Sequence, residues 1–407
     1  MKTNILKIAT LSLTGLLAIC SCQKQESQPE PYSVRMVKSE LVRFPDAKML
    51  DFNTVLKWNY THGLEIQSMI QAAELHPEIS EPVWNYAMSY ADSIINADGS
   101  INKYKKTNYT LDHVNPGKIL FYLYDKTSEE RFKIAMDTLY SQLQSHPRVS
   151  EGGFWHKKAY PYQMWLDGLY MGSPYYAQYA QRYLSGEEQA AAFADVVNQF
   201  TTVARHTYDP ANGLYRHAWD ESKEMDWADK TTGQAPHVWG RALGWYCMAM
   251  VDVLDFLPTG YSGRDSIISI LNPLAENLLK IQDPEKGSWY QVLDQGNREG
   301  NYLETSCTAM FAYAFMKGAL NGYLPKEYYQ HGIKALDGIN ANNIQENEDG
   351  TISLTQICGV AGLGGNPYRD GSFDYYVNEI IRDNDPKGVG PYIQALLIAE
   401  KNGRELK

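Results

Sequence analysis

The residues best placed to do chemistry are two aspartates set among aromatic side chains. Asp167 lies in Gln163-Met164-Trp165-Leu166-Asp167-Gly168-Leu169-Tyr170-Met171, a nearly unbroken apolar and aromatic run. A carboxylate there is either desolvated, which favours its protonated form, or tied up by hydrogen bonds. The desolvated form is what a general acid working near neutral pH requires. Asp112, in Leu111-Asp112-His113, stands at the matching place one helical repeat earlier, just before the helix opening at Pro116. Two carboxylates that start successive helices can face one cavity, and paired carboxylates are the usual equipment for cleaving glycosidic bonds. Taken alone the pair is a weak signal, because aspartates also cap helices and join structural networks.

Further along, Tyr215-Arg216-His217-Ala218-Trp219 is followed by His237-Val238-Trp239-Gly240-Arg241-Ala242-Leu243-Gly244-Trp245. Arg241 and Trp245, four apart, share a helical face, whereas Trp239 has to approach from the turn that opens the helix. A guanidinium beside an indole is a good receptor for carboxylates and sugars. The other reading of Arg241 is an arginine that satisfies buried carbonyls. The nine histidines are scattered, His-Glu-x-x-His is absent, and the cysteines lack ligand spacing, so neither a metal nor a cofactor is expected.

Thirty tyrosines and nine tryptophans suit a sugar-binding cleft, since aromatic rings bury apolar area while their polar edges hydrogen-bond. A formal charge of −11 excludes nucleic acid as a partner, because no basic stripe is available for phosphates. An anionic substrate would have to be drawn in by a few local cations. Cys247, Cys307 and Cys358, widely spaced, read as buried thiols rather than a disulfide framework.

The elements that must position these residues are helices. Phe193, Val196, Val197, Phe200 and Ala204 form one apolar stripe at helical spacing, and Ile267, Ile268, Leu271, Leu274, Leu278 and Leu279 form another. A Gly-based turn recurs at Asp98-Gly99, Gly152-Gly153, Asn212-Gly213, Lys286-Gly287 and Asp349-Gly350, in steps of about 54 to 74 residues. Each step holds two helices and a long connection. First helices are expected near His62, Pro116, Tyr162, Pro236, Leu303 and Pro386, with 34–44 partnering the last. The fold class is therefore all-α, an (α/α)6 toroid of six helical hairpins. An open tetratricopeptide solenoid would repeat more regularly, at about 34 residues.

The N-terminus reads as an export signal. Lys2 and Lys7 precede an apolar run, Ile8 to Ile19, too short to span a bilayer. Ile19-Cys20-Ser21-Cys22 resembles a lipobox, with lipidation expected at Cys22. The expected organisation is a lipoprotein signal peptide at 1–22, a polar tether at 23–33 and a catalytic toroid at 34–407. The expected product is a monomer, exported and held to the membrane only by its lipid, on the periplasmic or cell-surface side.

Four motifs in order carry a resemblance: Gly-Phe-Trp-His-Lys at 153–157, Met-Trp-Leu-Asp-Gly-Leu-Tyr-Met at 164–171, His-Val-Trp-Gly-Arg-Ala-Leu-Gly-Trp at 237–245, and Tyr368-Arg369-Asp370-Gly371-Ser372. Together they resemble glycoside hydrolase family 105, the unsaturated rhamnogalacturonyl hydrolases, which are (α/α)6 toroids related to the unsaturated glucuronyl hydrolases. The resemblance implies that Asp167 is the general acid/base and Asp112 a second essential carboxylate. It implies substrate-pocket roles for His156, His217, Trp239, Arg241 and Trp245, and for Trp58 in Trp58-Asn59-Tyr60. The substrate implied is an unsaturated uronyl oligosaccharide, whose C4=C5 bond is protonated at C4 and hydrated at C5. The substrate expected is a lyase-generated pectic, rhamnogalacturonan oligosaccharide; the alternatives are an unsaturated glucuronyl hydrolase acting on another uronate polysaccharide, another (α/α)6 glycosidase or lyase, or a non-catalytic glycan-binding lipoprotein.

Overall fold

The apolar stripes form helices in pairs, and each recurring glycine marks the exit from a pair. The structure, a computed structural model, describes residues 30–404 of the 407-residue chain, so the signal, Cys22 and most of the tether lie outside the described residues. The helices are α1 Tyr32–Arg43, α2 Tyr60–Leu75, α3 Ser80–Ile94, α4 Lys118–Thr127, α5 Glu130–Gln144, α6 Leu166–Tyr183, α7 Gly186–Thr207, α8 Gly240–Val253, α9 Gly263–Lys280, α10 Thr305–Leu320, α11 Tyr328–Asn342, the short α12 Phe373–Val377, and α13 Pro386–Lys401.

Helices α2, α4, α6, α8, α10 and α13 form an inner ring, which closes where α13 packs on both α2 and α10. Every residue of α8 is buried, as expected of a helix apolar all round. Helices α3, α5, α7, α9, α11 and α1 form the outer ring, each burying one stripe. In α7, Phe193, Val196 and Phe200 are buried, while Val197 sits at the stripe's half-exposed edge. The toroid of six hairpins is the architecture the repeat predicts.

Gly99, Gly152, Gly213, Gly287 and Gly350 all take positive φ, between 69° and 87°. At Gly213 there is also no room for a side chain: a Cβ would lie 2.1 Å from Asn277 Nδ2. Each turn follows an outer helix and leads back towards the N-terminus of the next inner helix, so the long connections gather at one end of the ring. Short two-stranded ladders brace them; the pair 163–165 with 218–220 joins neighbouring repeats. Strand 163–165 delays α6 by four residues beyond the start expected at Tyr162, and an isolated bridge from Trp239 to Val292 precedes α8, which begins four residues beyond Pro236.

One expected boundary shifts. The tether was expected to run to residue 33, but Pro31 is the N-cap of α1, which begins at Tyr32. The first turn is anchored, with Ser33 Oγ donating to Glu400 on α13 at 2.7 Å. Cys247, Cys307 and Cys358 are free and buried.

Candidate active site

Asp167 is the second residue of α6, at the end of the ring where the connections converge. Its place is set by the ladder just before it. Trp165 pairs with Ala218, and Leu166 N–H donates to His217 O at 3.0 Å. That register sets His217 Nε2 3.2 Å from Asp167 Oδ2. On its other side His217 Nδ1 meets the Tyr376 hydroxyl at 2.7 Å. Its ring packs against Trp165 at 5.2 Å and Trp239 at 4.9 Å, and Tyr376 stacks on Trp239 at 6.0 Å. Asp167 Oδ2 is buried and has no hydrogen bond of good geometry, since the nearby His217 Nε2 is not aligned with it.

Asp112 sits in the 3-10 turn Leu111–His113 that leads to α4. The Gly153–Lys157 segment runs between this turn and Asp167: Leu111 N–H donates to His156 O, and His156 N–H donates to Gln163 O. Lys157 Nζ therefore lies 2.5 Å from Asp112 Oδ2, and His156 Nε2 lies 3.4 Å from Oδ1. Burial pushes the Asp112 carboxyl upward, but Lys157 and His156 outweigh it and hold the group below the usual carboxylate range. Burial lowers His156 to about 4, so the imidazole is neutral at pH 7 and can serve as a hydrogen-bond donor without carrying charge. Its ring lies flat against Trp165 at 4.8 Å, and Tyr160 covers Trp165 at 5.0 Å.

Trp58, Trp245 and Arg241 are placed differently from the sequence expectation. Trp58 is buried beneath the Asp112 turn, donating from Nε1 to His113 O at 2.8 Å. Trp245 is buried one turn inside α8, stacked on Tyr170 at 4.6 Å with Tyr60 edge-on at 6.4 Å. Trp239, as expected, is the residue that opens α8, and its Nε1 donates to Gln291 Oε1. Arg241 packs over Trp239, at 5.4 Å, rather than over Trp245. The extended backbone at Trp239 is what sets its ring against the first turn of α8.

Arg241 departs furthest from the anion-receptor expectation. It is 1% exposed, and its guanidinium is occupied by the Cys358 and Gly359 carbonyls, Ser306 Oγ at 2.9 Å and the fully buried Glu304 at 3.6 Å. The reading in which it satisfies buried carbonyls describes this geometry.

A toroid that carries two differently partnered carboxylates at the end where its connections converge agrees with what comparison finds. The sequence model of glycosyl hydrolase family 88 matches residues 32–402. The chain belongs to glycoside hydrolase family 88/105. A solved glycoside hydrolase from family 105 of C. acetobutylicum ATCC 824 superposes with a TM-score of 0.86 at 40% identity, covering 91% of this chain and 100% of that one. Protein Atu3128 of Agrobacterium fabrum is 39% identical over 242 residues, 56% of this chain and 100% of its own. Unsaturated rhamnogalacturonyl hydrolase YesR of Bacillus subtilis is 28% identical over 251 residues, 60% of this chain and 66% of YesR.

In this family 88/105 hydrolase, three site groups escaped sequence reasoning. Lys157 follows His156 in the quoted motif, and a cation next to a pocket histidine was the available signal for it. Tyr376 is far from His217 in sequence and reaches it only through α12, so nothing local marks it. Glu304 N-caps α10 by accepting from Cys307 N–H at 2.7 Å, a role the Glu-Thr-Ser run hints at. The late motif has a structural part as well. Arg369 donates to Tyr160 OH and Leu363 O, both at 3.1 Å, tying the 359–372 loop to the aromatic wall.

Proposed function

We propose that this glycosidase releases a 4,5-unsaturated uronic acid from the non-reducing end of lyase-generated pectic, rhamnogalacturonan-type oligosaccharides. The family and the similarity to a relative named for that substrate support the reading. One observation carries the assignment of roles: the two carboxylates stand in opposite surroundings. Asp112 is held ionised by Lys157. Asp167 has no lysine or arginine partner among the described residues, and faces a histidine already engaged by Tyr376.

Asp167 is then the group that delivers a proton to C4 of the vinyl ether, and His217, oriented by Tyr376, positions it. Positive charge develops at C5 and the ring oxygen, where the ionised Asp112 and the aromatic faces stabilise it. Water adds at C5, with its proton passing back to Asp167. The hemiketal opens at the bond between C5 and the ring oxygen, leaving C1 as a hemiacetal that expels the neighbouring sugar. The double bond is consumed, one water is added, and no oxidant or reductant is needed.

The test is a panel of lyase-generated disaccharides ending in unsaturated galacturonyl or glucuronyl units. Ultraviolet absorbance of the enol ether should fall as sugar is released, fastest with the galacturonyl-rhamnose substrate. Sugar release with the absorbance retained would indicate an ordinary glycosidase. Binding without turnover would indicate a glycan-binding protein.

A further inference from the structure

Beside Asp112 opens a cleft of about 680 Å³ whose walls carry Lys105, Lys157 and Lys158 with the polar side chains of Thr107 and Asn108. In a chain of net charge −11 this is a local reversal of sign. Lys157 is engaged by Asp112. Among the described residues Lys105 and Lys158 form no ion pair; Lys158 leans over the Tyr109 ring at 5.9 Å instead. The segments that carry both are tied down. Lys158 N–H donates to Tyr109 O at 2.9 Å, Thr110 bridges to Lys157, and Tyr104 OH donates to Gln142 at 2.8 Å.

The site has one blind wall and one open one. Around Asp167 the lining rings of Trp165, His217, Trp239 and Tyr376 are all buried, so the terminal uronyl unit, on the function proposed above, occupies that side. The cleft beside Asp112 is open to solvent, and on that reading the remainder of the oligosaccharide would leave along it. We infer that this cleft is a second acid-recognising subsite: Lys105 and Lys158 select substrates whose leaving portion carries another anionic group, a uronate carboxylate or a sulfate ester.

The proposal rests on the hydrolase reading, and one experiment separates the two. The intact protein is given an unsaturated disaccharide with a neutral leaving sugar, a tetrasaccharide with a second galacturonate, and a sulfated disaccharide. Two exposed ion contacts, each worth up to about fivefold, predict kcat/KM roughly 5- to 25-fold higher for an acidic leaving portion, shrinking as salt is raised. In the double variant Lys105→Ala/Lys158→Ala the ratio of acidic to neutral kcat/KM should fall to within about twofold. Whichever acidic substrate shows the salt-sensitive preference identifies the carboxylate or the sulfate as the ligand. Equal kcat/KM for all three, or a preference that survives the double variant, overturns the subsite and leaves the hydrolase reading intact. No consumption of any unsaturated substrate overturns both.

Discussion

Asp167 and Asp112 bring the same carboxyl group into opposite surroundings, and that contrast divides the labour between them. Asp167→Asn keeps the shape of the side chain but cannot deliver a proton. Turnover should fall at least ~10²-fold while substrate binding largely survives. Thermal stability should hold or rise, because Asp167 Oδ2 makes no hydrogen bond that the amide would lose. In heavy water the wild type should place deuterium at C4 of the released acid; a product without it there would sink the hydration mechanism. Lys157→Met tests the partner. Burial alone raises the Asp112 carboxyl, and Lys157 is the largest force holding it down. Without Lys157 the acid limb of the kcat/KM–pH profile should move to higher pH. An unmoved limb would show that the ionisation of Asp112 does not matter to the reaction.

At the scale of elements, buried charges join helices that the repeat only sets side by side. Arg241 near the start of α8 and Glu304 at the cap of α10 are both fully buried, and with Ser306 and the 358–359 carbonyls they lock two inner helices to the last connection. Arg241→Met would strand Glu304. Chemical denaturation should show a loss of about 3–5 kcal/mol, with activity per folded molecule falling less than for Asp167→Asn. Normal stability with activity abolished would restore Arg241 to the pocket. Between α1 and α2, Glu40 and Glu65 are buried with unpartnered oxygens. Burial raises Glu40 to about 7 against the pull of Arg43, and burial with the Glu40 charge raises Glu65 well above its ordinary value. Both folded values exceed the unfolded 4.5, so this contribution to stability is full below pH 4.5; Glu40's share is lost as pH rises through about 7, and Glu65 acts in the same direction. Glu65→Gln should stabilise the protein by roughly 1–3 kcal/mol at pH 8 and flatten that alkaline decline. His62, lowered by burial to about 4, acts in the opposite direction, its contribution being lost as pH falls from 6.5 towards 4. A melting temperature flat from pH 5 to 8 would contradict the buried pair.

At the scale of the molecule, the ring is completed from both ends of the chain. α13 closes the inner ring against α2, and α1 closes the outer layer through Ser33, Glu400 and His76. The first turn of α1 therefore belongs to the toroid, and the proposed lipid anchor at Cys22, ten residues before Tyr32, would tether the whole ring to a membrane. Cys22→Ala should move the protein from the membrane fraction to the soluble one with its activity unchanged. Unaltered partition would remove the anchor from the description.

The sequence by itself determined the architecture and the neighbourhood of the chemistry. Helical periodicity reports which face is buried, and a glycine that must take positive φ marks each exit, so six pairs and their order were legible without coordinates. Asp167 stood out as a carboxylate set into an aromatic run and Asp112 by its matching place in the repeat, whereas His156 and His217 entered through the motifs that carry the family resemblance. Tertiary structure decided what each polar group touches. Arg241 and Trp245 share a helical face in sequence, yet the buried Glu304 carboxylate and two loop carbonyls take the guanidinium. Tyr376 reaches His217, and Lys157 reaches Asp112, across connections whose paths depend on the closed ring. Spacing along a helix fixes direction from the axis, whereas partnership depends on contacts between repeats, and those exist only once the toroid has closed.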